Sequence, residues 1–318
     1  MRASRIHAFG QPEVIVSDEI AIPAPGTGEV LVKVHAAGVG PWDSWIRTGK
    51  SALPQPLPLT LGSDLSGVIT GLGDGVTGFA VGDEVYGVTS PQFTGACAEY
   101  AVASAGMIAR KPRSVSHVEA ASVPVVANTA WQMLFEHAGL VSGQRVLILG
   151  AAGNVGGYAV QFARRKGLCV IATGFAEQLD ELRRLGADQV IAVDAAQAED
   201  LIAPVDAVID TIGGEWQSRA MKMVRSGGIL VSAVSPPDVK AAEALGIRSL
   251  FFLVKVNTST LTEIAATIDH AELKPRVGLV LPLTGMIHAH ELLDGIRKPK
   301  PQGKIVIDIL DLRPEFAR

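Results

Sequence analysis

The sequence predicts an α/β protein: a doubly wound parallel sheet in the middle of the chain, beside a second, mostly β domain assembled from both chain ends. Three observations carry this. Residues 145–255 alternate short apolar runs with helix-like segments. The flanking stretches read instead as short strands broken by glycine and proline. At the first strand–helix junction of the middle part stands a knot of small residues, "GAAGNVGG", residues 150–157.

The elements follow in order. "EVLVKVHAAGV" (29–39), "LSGVITGLG" (65–73) and "GDEVYGV" (82–88) read as strands bounded by turn residues. At 127 the period changes: Ala127, Ala130, Trp131, Leu134, Phe135 and Ala138 recur at the spacing of one helix face. Strands are expected over 145–149, 168–172, 189–193, 205–209, 228–232 and 250–255, and helices over 154–166, 176–185, 215–225 and 238–246. Strands alternating with helices imply right-handed crossovers and a parallel sheet covered on both faces. Six strands match the doubly wound dinucleotide-binding count. From 272 the chain returns to short strands, with one helix near 287–295. The expected division is 1–124, then a nucleotide-binding domain over 125–262, then 263–318 rejoining the first part.

A chain of 318 residues exceeds what one core usually serves. With 48% hydrophobic and 19% charged residues, a disordered chain is excluded. The formal net charge is −4 and no long run of like charge occurs, so neither nucleic acid nor an anionic membrane is an expected partner. Cys97 and Cys169 stand far apart without a CxxC, which rules out a four-cysteine zinc site and suits a reducing compartment. The first residues lack the apolar core of a secretory signal, and no apolar run approaches the roughly 20 residues of a membrane helix. The expectation is a cytoplasmic protein.

In the glycine knot the spacing is Ala151-x-Gly153-x-x-Gly156. A glycine at 153 lets a pyrophosphate approach the backbone, and one at 156 lets the helix pack close to the strand. The backbone amides of Gly153, Asn154, Val155 and Gly156, with the helix dipole, favour an anion, and Ala151 and Ala152 complete the turn. An apolar strand before and an amphipathic helix after (Val155, Ala159, Phe162, Ala163) are the context a dinucleotide site needs. An NAD site usually places an acid about 20 residues on, at the end of the second strand. Thr173 and Gly174 stand there instead. No carboxylate repels a 2′-phosphate, so NADPH is the expected cofactor. No arginine or lysine in this turn clamps that phosphate either, and NADH stays open.

These motifs resemble the medium-chain dehydrogenase/reductase superfamily, in its zinc-independent quinone oxidoreductase (zeta-crystallin-like) branch. The likeness runs through "VLVKVHAAGVGPWDSWIRTGK" (30–50), "LPLTLGSDLSGVI" (57–69), "VGDEVYG" (81–87), "GACAEYAVA" (95–103) and "EAASVPVVANTAWQML" (119–134). It continues in the glycine turn, "LGADQVI" (185–191), "VIDTIGGE" (208–215), "AHELLDG" (289–295) and "GKIVI" (303–307). It implies a GroES-like β domain from the two chain ends, a Rossmann domain between them, an active site in the cleft and a homodimer, here through "LFFLVKV" (250–256). Zinc-dependent members carry cysteine where this chain has Gly40 and histidine where it has Ser63, so no zinc is expected. Quinone reductases of the family have asparagine at the Gly40 position and tyrosine at the Trp45 position. The lysine and tyrosine that contact the 2′-phosphate in the family fall on Gln178 and Val193, a departure that weakens the family's own case for NADPH.

The resemblance implies a reductase that passes hydride from NADPH to a quinone or α,β-unsaturated carbonyl, with negative charge growing on the acceptor oxygen. Substrate-side candidates are Trp42, Asp43, Trp45, Ser63 and Phe93, the last in the loop "SPQFTGA" (90–96). Trp42 and Trp45 read as packing residues before donors, and Asp43 and Asp64 equally as turn caps. Cofactor-side candidates are Gly40, Thr129, the turn 151–156, Thr173, Gly174, Ala233, Val234 and Phe252. His288 and His290 read as a solvated helix end, His35 as structural, both cysteines as small buried hydrophobes and "RKPKPQGK" (297–304) as a solvent loop. The rival readings are a non-catalytic dinucleotide-binding protein, as redox sensor or structural component, and a zinc alcohol dehydrogenase.

Overall fold

In "EVLVKVHAAGV", Val30, Val32 and Val34 are fully buried while Lys33 between them is exposed. This period of two places alternate side chains on opposite faces of a sheet. The computed structural model describes residues 1–53, 55–193 and 202–311. They fall into two compact units: Met1–Val125 with the residues from Val256 onward, and Val126–Lys255.

The first unit opens with β1 (Arg2–Ile6), β2 (Ile15–Glu19), β3 (Glu29–Val39), α1 (Pro41–Arg47), β4 (Leu59–Thr60), β5 (Asp64–Leu72), β6 (Glu84–Val88), β7 (Tyr100–Ser104), β8 (Ile108–Arg110) and α2 (His117–Ala121). Helix α1 was not expected from the sequence. Pro41 at its first position pre-sets the backbone, and the Asp43 carboxylate accepts the Gly40 N–H at 2.8 Å. Helix α2 begins on a capping box, with Ser116 Oγ accepting from the Glu119 amide and Glu119 from the Ser116 amide.

The second unit carries α3 (Pro124–Trp131) from Val126 onward, extended by a π-helical stretch over Gln132–His137, then β9 (Arg145–Leu149), α4 (Asn154–Arg165), β10 (Cys169–Gly174), α5 (Leu179–Leu185), β11 (Gln189–Ala192), β12 (Val205–Asp210), α6 (Gly214–Met221), β13 (Val224–Ser232), α7 (Val239–Ala244) and β14 (Arg248–Phe251). The strands form one parallel sheet in the order β11-β10-β9-β12-β13-β14. Counted from β9 this is 3-2-1-4-5-6, the doubly wound order. Val146, Leu147, Ile148 and Leu149 of β9 are all fully buried, as a strand covered on both faces requires. Several expected elements shift: the strand foreseen over 228–232 starts already at Val224, the helix foreseen over 215–225 accordingly stops at Met221, and the last strand is Arg248–Phe251 rather than 250–255.

The chain then returns to the first unit with α8 (Thr258–Asp269), β15 (Val277–Pro282), α9 (Met286–Leu293) and β16 (Lys304–Asp308). A seven-stranded sheet runs β15-β16-β3-β5-β6-β8 with β7 also on β3, and a small sheet runs β2-β1-β4. The return begins at Val256, earlier than the expected 263. Side chains on both partners explain this. Thr258 Oγ1 donates to the Ala105 and Ile108 carbonyls at 3.1 and 2.8 Å, and the Tyr86 hydroxyl donates to the Leu261 carbonyl at 2.6 Å. Among the described residues no helix is long and apolar enough to cross a membrane.

Candidate functional site

In the second unit the turn between β9 and α4 presents bare backbone. Gly153 is the N-cap of α4 and no side chain caps that end. The amides of Asn154, Val155 and Gly156 therefore have no partner inside the helix, and the dipole adds partial positive charge there. Gly153 is exposed and its neighbours Ala152, Asn154 and Val155 are half-buried, whereas Ala151 and Gly156 are buried. Glycine at 156 is required by space: a Cβ there would lie 2.6 Å from Ala151 Cα and closer still to the Gly150 carbonyl oxygen. The turn fits a dinucleotide's diphosphate.

The other cofactor-side candidates of this unit, Thr129 apart, gather at the carboxyl ends of the same parallel strands, where ligands of doubly wound sheets bind. Thr173 and Gly174 end β10, Ala233 and Val234 follow β13, and Phe252 follows β14, its ring 4.4 Å from that of His137. The Thr173 hydroxyl is buried and donates to the Ile148 carbonyl at 3.3 Å. Thr129 is buried in α3. The sequence reading passed over Asp210, the last residue of β12. Its fully buried carboxylate accepts from the Ile212 and Gly213 amides, Gln217 Nε2 and Ser232 Oγ at 3.1, 2.8, 2.8 and 2.7 Å. These bonds tie the loop before α6 to the end of β13.

In the first unit, Trp42, Asp43, Ser63 and Asp64 meet, while Gly40 is the N-cap of α1. Trp42 Nε1 donates to Ser63 Oγ at 3.0 Å, so the indole N–H already has an acceptor. Asp64 is fully buried and accepts from Lys304 Nζ at 2.7 Å and the Val125 amide at 2.9 Å. Burial pushes its carboxyl up, and the Lys304 ammonium opposes the shift. The same ammonium lies 4.0 Å from the centre of a Trp42 ring. Asp43, also fully buried, is pushed up to about 7 by loss of solvent, against the pull of the Gly40 amide and Lys304. Burial, with the nearby Asp43 and Asp64 carboxylates, holds Cys97 well above the ordinary thiol range, so it stays protonated and inert.

The remaining candidates lie apart from this cluster or differ from expectation. Trp45 is half exposed. Phe93 packs partly buried against the unit's core with its backbone in the left-handed region, φ 59°. Lys304 does not belong to a solvent loop, because its partner Asp64 draws it inside. His290 is not a solvated helix end either. It is fully buried, and its Nδ1 accepts from Arg47 Nε at 3.1 Å. Cys169 is only half-buried.

Residues 26–113 match the family described as alcohol dehydrogenase GroES-like domain, and residues 185–307 the family described as zinc-binding dehydrogenase. A mouse (Mus musculus) quinone oxidoreductase is 31% identical over 96% of this chain and 97% of its own length. The 2-methylene-furan-3-one reductase of Solanum lycopersicum is 33% identical over 96% of this chain and 79% of its own. The solved quinone oxidoreductase of Coxiella burnetii superposes with a TM-score of 0.88 at 31% identity, covering 97% of this chain and 99% of that one. The zinc description meets a donor set that does not fit the metal. Gly40 offers no ligand, the Ser63 hydroxyl is engaged by Trp42, and no group of three or more His, Cys, Asp or Glu side chains suited to a metal occurs among the described residues. A likeness this long, running through both units, makes the chain a member of the medium-chain dehydrogenase/reductase superfamily of oxidoreductases, akin to its quinone oxidoreductases.

Proposed function

We propose that the protein is a zinc-independent, NADPH-dependent reductase of quinones or α,β-unsaturated carbonyls. The observation that carries this reading is the uncapped start of α4, where the amides of Asn154, Val155 and Gly156 can take a diphosphate. Ala151, Ala152 and Gly153 shape the turn. Thr173, Gly174, Ala233, Val234 and Phe252 line the adjoining strand ends, with Thr129 as a further contact. When bound, the reduced nicotinamide supplies the hydride. The chain's own part is to hold and orient the cofactor and to shape the acceptor's surroundings with Trp42, Asp43, Trp45, Ser63 and Phe93.

Preference for NADPH rests on the end of β10. Residues Thr173–Gln178 contain one acid, Glu177, and it follows the strand end, where Thr173 and Gly174 stand instead of a carboxylate. Nothing at that strand end repels a 2′-phosphate. Zinc independence rests on Gly40 and Ser63. A homodimer through β14 is supported by its place at the sheet edge and by exposed Leu253 just beyond it. Two unpaired cysteines support a reducing compartment such as the cytoplasm.

The test is to titrate the protein with NADPH and NADH, then follow loss of reduced nicotinamide with a panel of quinones and enones. Tighter binding of NADPH and turnover of at least one acceptor are expected. Tight binding with no turnover across the panel overturns the reductase reading in favour of a non-catalytic nucleotide-binding protein.

A further inference from the structure

In the second unit Trp131 lies 4.9 Å from Phe135 and 5.5 Å from Phe162 between ring centres, and Phe135 lies 6.4 Å from Phe162. The three interplanar angles are 77°, 87° and 70°. Rings so nearly perpendicular meet edge to face and form a corner, which cannot close on itself by stacking. This corner lines a cavity of about 280 Å³. The cavity is built from the end of α3, where the backbone widens into π-helical turns, from the loop into β9 at Val141, and from the end of α4. Phe162, Arg165 and Lys166 come to it together because residues three and four apart share a helix face. Trp131 and Phe135 are half-buried and Val141 is 58% exposed, so the cavity opens to solvent. Its charge has one sign. Lys166 Nζ lies 5.9 Å from the centre of the Phe135 ring, Arg165 also lines the cavity, and among the described residues no acid does. The carbonyls that end α4 carry partial negative charge of roughly half an electron, which the full charge on Lys166 alone outweighs.

We infer that this cavity is a binding site for a small aryl carboxylate, separate from the nucleotide turn: the corner of Trp131, Phe135 and Phe162 takes the ring, and Lys166 takes the carboxylate. An aromatic corner by itself suits a cation as well as a ring, but the ammonium already beside Phe135 repels a second positive charge. An uncharged ring leaves that ammonium without a counter-charge. The volume stands at the lower end of small-molecule pockets, so the ligand has one or two rings. Helix α4 runs for 12 residues between the two sites. At about 1.5 Å per residue, the cavity lies roughly 16 Å from the turn that heads the helix, and both sites can be filled at once. The inference goes beyond the reductase reading and does not rest on it.

The experiment adds 2-naphthoate to the whole protein, with 2-naphthalenemethanol as its uncharged analogue, and follows the indole N–H signals of the four tryptophans by NMR. Trp131→Phe identifies the Trp131 signal. That signal should move and saturate with a Kd of about 1 mM or below, and the alcohol should bind at least about fivefold more weakly. Lys166→Glu, at an exposed side chain, should weaken 2-naphthoate by about tenfold or more, and Val141→Asp, at the exposed rim, by a similar factor. Lys166→Arg, which keeps the charge, should stay within about threefold of wild type. Neither residue belongs to the nucleotide turn, so Tm and NADPH affinity should match wild type in all three variants. Saturating NADPH should leave the Kd of 2-naphthoate within about twofold. A Trp131 signal unmoved at about 10 mM probe, equal binding of the alcohol, full affinity in Lys166→Glu, or displacement of the probe by NADPH each overturns the inference and leaves the reductase reading intact. A protein that turns over no quinone or enone yet binds 2-naphthoate as described upholds the inference and removes only the reductase reading.

Discussion

Lys304 Nζ stands 2.7 Å from Asp64 Oδ2, and the two side chains are 1% and 0% exposed. The pair joins β16 to the start of β5, and Asp64 also holds the Val125 amide. Removing one member leaves a buried charge without its partner, which costs about 3–5 kcal/mol. Lys304→Met should therefore destabilise the first unit by that amount in urea unfolding. Adding Asp64→Asn should recover a large part, because the orphaned charge is then gone. A Lys304→Met protein within about 1 kcal/mol of wild type contradicts this account.

Asp43 predicts an unusual pH dependence. Its carboxyl rises from 3.8 to about 7 on folding, chiefly because burial penalises the charged form. A folded state that holds this proton more tightly than the unfolded chain loses stability as pH rises from about 4 to about 7, and changes no further above that. The slope reaches about 1.4 kcal/mol per pH unit for one proton. Asp43→Asn keeps an oxygen for the Gly40 amide and removes the titration. Denaturation midpoints across this range should fall less steeply with pH in the variant, and an unchanged slope speaks against a proton on Asp43.

His290 predicts the opposite limb. Burial, then the Arg47 guanidinium, lowers it from 6.5 to about 3, while Asp294 opposes. Arg47 Nε donates to its Nδ1, so the ring is neutral with the proton on Nε2. Below pH 6.5 the unfolded chain takes up a proton that the folded one refuses, and stability falls as pH drops toward 3. His290→Gln should flatten that acid limb in the same unfolding series. Arg47, fully buried, also holds the Gly10 carbonyl and Asp294, bonds that a lysine cannot make together. Arg47→Lys, which keeps the charge but leaves the Gly10 carbonyl or His290 without its donor, should cost about 1–3 kcal/mol in the same assay.

The parts of this molecule that the sequence reveals are those written locally. The period of two in β3, the all-apolar β9 and the glycine spacing at 151–156 each sit within a dozen residues, and each lands where the pattern places it. Lys304 is different. Within "RKPKPQGK" it reads as one more solvated base, and its burial depends on an aspartate 240 positions away. His290 misleads in the same way, because Arg47 lies 243 positions before it. Gly40 looked like the loss of an amide. The role of the glycine is visible only once the Trp42 ring is placed beside it. Asp210 was passed over because a strand-ending acid has no pattern of its own until its four donors converge.

Gly153 and Gly156 should separate binding from packing. A Cβ at 153 approaches only the Gly150 carbonyl, at 3.1 Å, on a backbone of φ −69° and ψ 178° that alanine adopts without strain. Gly153→Ala should therefore leave stability within about 1 kcal/mol of wild type. The added methyl stands on the exposed residue that heads α4, where a diphosphate must come close, so NADPH affinity should fall by about tenfold or more. At 156 a Cβ meets the Gly150 carbonyl and Ala151 Cα, both backbone atoms that cannot step aside. Gly156→Ala should push α4 away from the turn, costing about 1–3 kcal/mol of stability, and weaken the cofactor as a consequence. Calorimetric titration with NADPH beside thermal unfolding of each variant reads the two effects separately. If Gly153→Ala binds NADPH as tightly as wild type, the diphosphate does not rest on this turn.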